Sequence, residues 1–146
     1  MSPHCETYAY VLLPGKNAEE TKHYADNPNT HILLQSSEAH AVYHTGLDIL
    51  GMNVWTDAKI SAGGVTCLGK ASVMVRATDD SVEVALSDPT QENNGIIELE
   101  LDMAVSSVEK ADPSIEVLQL SPKVKLQVHA GGTYGSTLSV KLSKSK

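Results

Sequence analysis

The chain has 146 residues, of which 41% are hydrophobic and 20% are charged, so it is long enough for one globular domain and too short for a large multidomain enzyme. The 11 Lys and Arg residues against 18 Asp and Glu give a net charge of −7, which disfavours binding to nucleic-acid backbones. No apolar run reaches the roughly 20 residues of a bilayer span, and the amino terminus lacks a secretion signal, so we expect no membrane insertion and no nucleic-acid partner.

The amino-terminal part of the chain predicts one buried strand and one short helix. Tyr8–Leu13 is an apolar run followed by a Pro-Gly pair, a pattern typical of a buried strand. Asn17 and Glu20 have the spacing of a capping box, which predicts a helix over about residues 18–25. The helix is expected to end before the Asn-Pro pair at 27–28, because a residue that precedes proline avoids the helical region.

The rest of the chain predicts short strands in which polar and apolar residues alternate. Val, Ile, Leu and Thr supply most of the bulk and Phe is absent, a composition that suits strands. The predicted strands are at about 31–35, 39–44, 50–55, 73–76, 82–86, 97–101, 115–120, 123–129 and 137–142. Turn residues separate them at short intervals, and a change of phase within 115–120 indicates either a β-bulge or a strand covered on both faces. The pattern predicts an all-β fold, an antiparallel two-sheet β-sandwich with one short helix near the amino terminus.

Residue spacing gives no indication of a metal, redox or nucleophilic site. Cys5 and Cys67 do not form a close pair, and whether they are bridged stays open. His40 and His44 are four residues apart without a third ligand nearby, so we interpret them as polar positions on a half-buried strand. No serine has the context of a nucleophile elbow, and no glycine-rich phosphate loop occurs. We expect no catalytic residue, no metal and no cofactor.

Two aromatic residues are candidates for sugar binding. Trp55 is the only tryptophan, and its neighbours Asn53 and Asp57 have side chains that hydrogen-bond hydroxyl groups. Tyr134 lies in a glycine-rich loop between two predicted strands, where binding residues often concentrate. The alternatives are that Trp55 is a core or interdomain anchor and that Tyr134 folds over the end of the sandwich.

Several separated motifs resemble one known family. The segment Tyr8–Gly15, the helix that begins at Ala18, and the strands around Leu33 and Ala41-Val42 follow in the order found at the end of polysaccharide lyase family 8 enzymes. The turn Leu86–Gln91, of sequence LSDPTQ, is similar to the Asp-Pro-Thr-Gln turn of their carboxy-terminal β-domain. These lyases act on hyaluronan, chondroitin or xanthan. The similarity covers nearly the whole chain.

The resemblance implies a division of the chain and the absence of catalysis. Residues 1–30 resemble the end of the lyase central domain, and residues 31–146 resemble the carboxy-terminal β-sandwich domain. Family members are several times longer, and an α/α toroid ahead of the β-domains supplies their catalytic Asn, His, Tyr and Arg. Because no counterpart of that toroid is found in this sequence, no catalytic residue is carried over, and we expect that the chain is not an enzyme by itself.

Two functions fit this resemblance. The first is a non-catalytic, lectin-like protein that binds a glycan or polysaccharide, and the start at Met1 favours such a free-standing, cytoplasmic protein. The second is the structural carboxy-terminal domain of a secreted lyase that acts by β-elimination. That domain is expected to expose an apolar patch around Tyr8, Tyr10 and Trp55, through which the chain would form a homodimer.

The net charge of the chain favours one class of candidate glycan over another. A net charge of −7 favours neutral over strongly anionic glycans, unless Lys123, Lys125 and Lys141 gather on one sheet face.

Overall fold

The computed structural model describes residues 8–145, which form two antiparallel β-sheets and one helix. The helix, α1, spans Ala18–Asp26. The strands are β1 (Thr30–Gln35), β2 (Ala39–His44), β3 (Ile49–Val54), β4 (Lys59–Ala62), β5 (Val65–Leu68), β6 (Ala71–Ala77), β7 (Ser81–Ser87), β8 (Ile96–Leu101), β9 (Ser107–Ala111), β10 (Ile115–Gln119), β11 (Val124–His129) and β12 (Leu138–Ser143). The predicted all-β sandwich with one short amino-terminal helix is confirmed.

The strands divide into a seven-stranded and a five-stranded sheet. The order in the first is β1-β2-β3-β6-β7-β12-β9, and the order in the second is β10-β11-β8-β5-β4. Each pair of neighbours is antiparallel. Hydrophobic residues of both sheets are buried together, so the core lies between the two inner faces.

Strict alternation of residues fixes which side of each strand is buried. In the β6–β7 hairpin, Val73, Val75, Val82 and Val84 are each at most 4% exposed, whereas Arg76 is exposed to solvent. Successive side chains of a strand point to opposite faces, so one face enters the core and the other remains in water. The outer face of each sheet is therefore the surface on which a binding site is available.

The helix agrees closely with its prediction. The Asn17 side chain accepts a hydrogen bond from the Glu20 N–H at 3.0 Å, and the Glu20 carboxylate accepts one from the Asn17 N–H at 3.0 Å. This capping box satisfies N–H groups that the first turn of a helix leaves free. The helix buries none of its residues. Capping and exposed ion pairs, such as the one between Lys22 and Asp26, therefore take the place of core packing.

The prediction of a buried strand at Tyr8–Leu13 is wrong. The segment pairs with no strand in the described part of the chain, and Tyr8, Tyr10 and Leu12 are 82%, 74% and 78% exposed. An apolar segment becomes a buried strand only if a sheet has a free edge with which the segment can pair. Here the segment contacts the edge strand β1 through a side chain, because the Gln35 amide donates a hydrogen bond to the Tyr8 carbonyl at 3.1 Å.

Three strands were not predicted from the sequence. Strands β4 and β5 have four residues each, which is too few for a clear periodic signal. Strand β9 has four exposed residues in succession, so it shows no alternation. The predicted β-bulge is confirmed, since the β10–β11 register shifts between Val117 and Gln119.

The turn between β4 and β5 requires glycine at two successive positions. Gly63 and Gly64 have φ values of 56° and 78°, in the left-handed region. A Cβ on Gly63 would lie 2.5 Å from a methyl group of Leu50 and 2.6 Å from one of Leu33. The hairpin is therefore packed against the seven-stranded sheet and is not a free loop.

We expect that Gly63→Ala destabilises the protein more than Gly132→Ala. Both glycines have positive φ, so each alanine carries a conformational cost of about 1 to 2 kcal/mol. Only Gly63→Ala adds a steric clash, because a Cβ on Gly132 meets no atom within 4 Å. Urea unfolding of the two variants measures the difference. Equal losses would show that Leu33 and Leu50 move aside at no cost.

Candidate functional site

An open groove of about 420 Å³ runs along the outer face of β1 and β2, beneath the amino-terminal segment. We call it the aromatic groove. Its principal lining residues are Tyr8, Tyr10, Ile32, Gln35, His40 and Val42. None of the residues that line it is an acid, Lys or Arg. The groove combines apolar side chains with neutral hydrogen-bonding groups.

Tyr8 and Tyr10 form the outer wall of the aromatic groove. They are two residues apart in an extended segment, which places both rings on the same side. The ring centroids are 6.3 Å apart and the ring planes differ by 11°, so the rings are stacked. The hydrogen bond from Gln35 to the Tyr8 carbonyl attaches this segment to β1. Two nearly parallel aromatic faces are thereby held over the sheet.

Trp55 extends this surface at the end of β3. The β2–β3 register places His40 opposite Asn53, and Trp55 follows two residues later. The His40 and Trp55 ring centroids are 4.8 Å apart at 86°, an edge-to-face contact. The Trp55 backbone N–H donates a hydrogen bond to the Glu38 backbone carbonyl at 2.9 Å. Trp55 remains 47% exposed, so its ring is at the surface and is not a core anchor.

Of the four predicted sugar-binding residues, Trp55 and Asn53 lie next to His40 in the structure. Asn53 lies on the outer face of β3, where its side-chain oxygen accepts a hydrogen bond from the Ser72 hydroxyl at 2.7 Å. Asp57 lies in the loop after Trp55, and its carboxylate is 3.5 Å from the Lys70 ammonium group. Trp55 and Asn53 both flank His40, whereas Asp57 forms an exposed ion pair with Lys70.

Tyr134, the fourth predicted residue, lies on a different loop. It is 81% exposed and has a φ of 51°, which is uncommon for a residue with a side chain. The ring thus projects into solvent and is not folded over the end of the sandwich. Strand register places the end of β3, next to Trp55, and the start of β12, next to the Tyr134 loop, at the same end of the strands in the seven-stranded sheet. Three strand spacings, about 14 Å, separate them.

Three members of the aromatic groove were not identified from the sequence as ligand contacts. Tyr8 and Tyr10 were assigned to a buried strand, although their even spacing already placed the two rings on one side. His40 was interpreted as a surface residue, and it is indeed exposed. Its contact with Trp55 depends on the β2–β3 register, which cannot be read from the sequence. His44 differs from His40, because its Nδ1 is buried and has no hydrogen-bond partner among the described residues.

Metal binding and membrane crossing receive no support from the described residues. Across residues 8–145, no three side chains of His, Cys, Asp or Glu are grouped so that they would hold a metal ion. The one helix in this part has 9 residues, and no helix there is long and apolar enough to cross a bilayer.

The lysines considered for an anionic ligand do not share one face. Lys125 lies on β11 of the five-stranded sheet and Lys141 on β12 of the seven-stranded sheet. Lys123 and Lys125 both form ion pairs with Glu100 of β8, which compensates their charge. The three lysines therefore do not form a common anion-binding surface.

Cys67 is a buried core residue, and burial raises the pKa of its thiol to about 12. Cys5 lies outside the described residues. Because the thiolate is the reactive form, we expect Cys67 to resist alkylation at pH 8 in the folded protein and to react fully in 6 M guanidinium, which is about the concentration that unfolds most domains. Mass spectrometry of a Cys5→Ser variant measures this. Rapid labelling of the folded protein would contradict the burial of the thiol.

Comparison with known proteins shows that this chain is similar to the C-terminal part of polysaccharide lyases. The family model "Polysaccharide lyase family 8, C-terminal beta-sandwich domain" matches residues 31–97. The chain is 39% identical over 137 residues to xanthan lyase of Bacillus sp. (strain GL1). This match covers 93% of this chain and 15% of that protein. It is 26% identical over 132 residues to hyaluronate lyase of Thermasporomyces composti, covering 90% of this chain and 17% of that protein.

A solved structure shows the same relationship. The structure of Paenibacillus xanthan lyase superimposes with a TM-score of 0.89 at 36% identity, covering 92% of this chain and 13% of that one. The chain thus spans about one seventh of the length of xanthan lyase, 15% of that relative, and matches its carboxy-terminal domain.

Proposed function

The chain belongs to the C-terminal β-sandwich domains of polysaccharide lyase family 8, and from this premise we propose that it is a non-catalytic module that binds polysaccharide through the aromatic groove. The observation that carries the proposal is the exposed set of Tyr8, Tyr10 and His40 along one groove, with the Trp55 ring in edge-to-face contact with His40. The related enzymes are named for xanthan and hyaluronate, which supports a polysaccharide as the ligand class.

The chemistry of the groove suits a sugar ring. Pyranose rings have apolar C–H faces that stack on aromatic side chains, and their hydroxyls require hydrogen-bonding groups nearby. The amide of Gln35 and the imidazole of His40 line the groove and supply such groups, and Asn53 is directly opposite His40 in the β2–β3 ladder. Because the lining lacks Lys and Arg, we propose that the groove receives a neutral part of the polysaccharide.

The lining also supports the absence of catalysis. β-Elimination from a uronate requires a group that neutralises the carboxylate, a base and an acid around one sugar. The aromatic groove has one imidazole, His40, and neither a cation nor a carboxylate. We propose that any lyase activity of a longer protein resides outside this domain.

We expect Trp55→Ala to weaken polysaccharide binding about 5-fold to 30-fold, because stacking on an indole ring contributes on the order of 1 to 2 kcal/mol. Trp55 is the only tryptophan, so its fluorescence also reports ligand contact directly in the unmodified protein. Calorimetric titration with xanthan and hyaluronan oligosaccharides measures the affinity. Trp55→Phe, which retains an aromatic face, is the matched control and should keep most of it. Unchanged binding by a Trp55→Ala, Tyr10→Ala double variant would remove the site assignment.

Asp57 and Tyr134 are proposed as outer contacts. Asp57 is two residues from Trp55. The start of β12, which follows the Tyr134 loop, is about 14 Å across the sheet from the Trp55 end of β3, and only an oligosaccharide of several rings would span that distance. Tyr134→Ala should therefore weaken binding of a long oligosaccharide and leave binding of a disaccharide unchanged. Equal effects on both lengths would contradict this placement.

A second candidate function is structural, and one observation favours it. Tyr8, Tyr10, Val11 and Leu12 form an apolar surface that is 50% to 82% exposed. Exposed apolar surfaces of this kind mark protein interfaces as well as ligand sites. Sedimentation of the Leu12→Ser variant separates the two functions, because Leu12 is not among the groove residues. Loss of self-association together with intact glycan binding would assign the two roles to different residues.

A further inference from the structure

An asparagine that is followed by glycine lies in the loop between β7 and β8. The chain has six asparagines, and only Asn94 precedes a glycine, Gly95, whereas the others precede Ala, Pro, Thr, Val or Asn. Because glycine has no Cβ, its backbone nitrogen is open to close approach by the preceding side chain. Asparagine is a thermolabile residue, since its carboxamide is lost when that nitrogen attacks it. The pair therefore has the chemistry of a modification site.

The structure leaves the Asn94 side chain free to react. Asn94 and Gly95 are both exposed and lie outside the strands. Within the described part of the chain, no group forms a hydrogen bond with the Asn94 carboxamide. By contrast, the carboxamides of Asn17 and Asn53 each accept a hydrogen bond, at 3.0 Å and 2.7 Å. A side chain without partners exchanges rotamers freely, so the Asn94 Cγ atom can approach the Gly95 nitrogen.

One hydrogen bond restrains the nitrogen that would attack. The Gly95 backbone N–H donates to the Asn93 side-chain oxygen at 2.8 Å. Asn93 is itself fixed, because its backbone N–H donates to the Asp88 carboxylate at 2.9 Å. The Gly95 nitrogen must give its proton to hydroxide before it bonds to carbon, and a proton that an acceptor holds is lost less readily. The Asn93 side chain therefore opposes the reaction for which the Asn-Gly sequence is suited.

We propose that Asn94 is a site of spontaneous deamidation and that the hydrogen bond from Gly95 to Asn93 slows it. The Gly95 nitrogen gives its proton to hydroxide and bonds to the Asn94 Cγ atom. The side-chain nitrogen takes a proton from water, its bond to Cγ breaks, and it leaves as ammonia. Water then opens the resulting cyclic imide at either carbonyl, which gives an aspartate or an isoaspartate, each with a new negative charge. This inference goes beyond the proposed function and does not depend on it.

The loop that carries Tyr134 packs against the backbone of Asn94. A Cβ added at Gly131 would lie 3.5 Å from the Asn94 Cα atom and 3.6 Å from the Asn94 carbonyl oxygen. An isoaspartate lengthens the backbone at position 94 by a methylene group, and closely packed segments do not absorb an added methylene without moving. Formation of the isoaspartate is therefore expected to displace the Tyr134 loop.

Incubation of the folded protein at mildly alkaline pH, followed by peptide mapping with mass spectrometry, tests the site. We expect Asn94 to react before the other five asparagines, with a mass increase of about 1 Da for each conversion. Asn94→Gln should remain unmodified at this position, because its longer side chain would have to close a larger ring. A folded wild type in which another asparagine reacts first, or in which none reacts, overturns the assignment of Asn94.

The same measurement tests the role of Asn93. In folded Asn93→Ala, Asn94 should deamidate about 2-fold to 10-fold faster than in wild type, which is the rate equivalent of one hydrogen bond. Asn93→Asp is the matched control, because its carboxylate retains an acceptor for the Gly95 N–H, and its rate should stay close to that of wild type. In concentrated urea, where the hydrogen bond is lost, wild type and Asn93→Ala should react equally fast. Equal rates for these two proteins in the folded state overturn the restraint by Asn93.

Discussion

Replacing Leu99 by alanine is expected to lower the free energy of unfolding by about 3 to 4 kcal/mol, the range observed when a fully buried leucine leaves a cavity. Leu99 lies on β8, the central strand of the five-stranded sheet, and is 2% exposed. Cys67 of β5 and Leu126 of β11 are its partners on the two neighbouring strands, and both are buried. Strand neighbours on both sides restrict collapse around the missing side chain, so most of the cavity should persist.

Chemical and thermal unfolding of the purified chain measures this loss. For a protein of this length, 3 to 4 kcal/mol corresponds to a decrease in Tm of roughly 10 °C. Leu118→Ala is the matched control, because Leu118 is on β10 of the same sheet but is 50% exposed. Leu118→Ala should lower the free energy of unfolding by less than about 1 kcal/mol. Similar losses in both variants would contradict the position of Leu99 between the two sheets.

The inner faces of the sandwich were predictable because their signal is local. Along β6, β7, β8, β11 and β12, every second residue is apolar, and the structure buries these residues. A strand with one buried face must show this alternation, since a shift by one residue would turn the apolar side chains to solvent. The capping box at Asn17 and Glu20 was equally visible, because its hydrogen bonds connect residues three apart.

The aromatic groove was only partly predictable because its contacts are not local. Trp55 and Asn53 were recognised as residue types that suit sugars, but their contact with His40 arises from the pairing of β2 with β3. Residue types indicate a chemistry, whereas strand order determines which residues act together.

The Leu86–Gln91 motif has a structural explanation in the buried carboxylate of Asp88. Asp88 is 2% exposed, and its carboxylate accepts hydrogen bonds from the Thr90 N–H at 2.9 Å, the Thr90 hydroxyl at 2.7 Å and the Asn93 N–H at 2.9 Å. These bonds fix the loop between β7 and β8. Gly135 packs against this loop, since a Cβ added there would lie 3.1 Å from the Gln91 side chain. Asp88 thus supports the loop that presents Tyr134.

Asp88→Ala is expected to lower the free energy of unfolding by about 2 to 3 kcal/mol at pH 7, because it leaves the N–H groups of Thr90 and Asn93 without their acceptor. Urea unfolding measures the loss. Asp79→Ala is the matched control, since Asp79 is exposed in the β6–β7 turn, and it should change stability by less than about 0.5 kcal/mol. Equal losses in the two variants would remove the structural role assigned to the Asp88 carboxylate.

The contribution of Asp88 should also depend on pH in one direction. Burial of the carboxyl acts to raise its pKa, but the hydrogen bonds from Thr90, Asn93 and Glu92 outweigh burial and hold the pKa below the ordinary value of 3.8. A lowered folded-state pKa stabilises the fold fully above the unfolded-state value and loses that effect as pH falls through the folded-state value. The stability difference between wild type and Asp88→Asn should therefore be constant from about pH 5 to pH 7 and shrink below pH 3.8. A difference that grows on acidification would mean that Asp88 is protonated in the folded protein, and the loop beneath Tyr134 would then require another support.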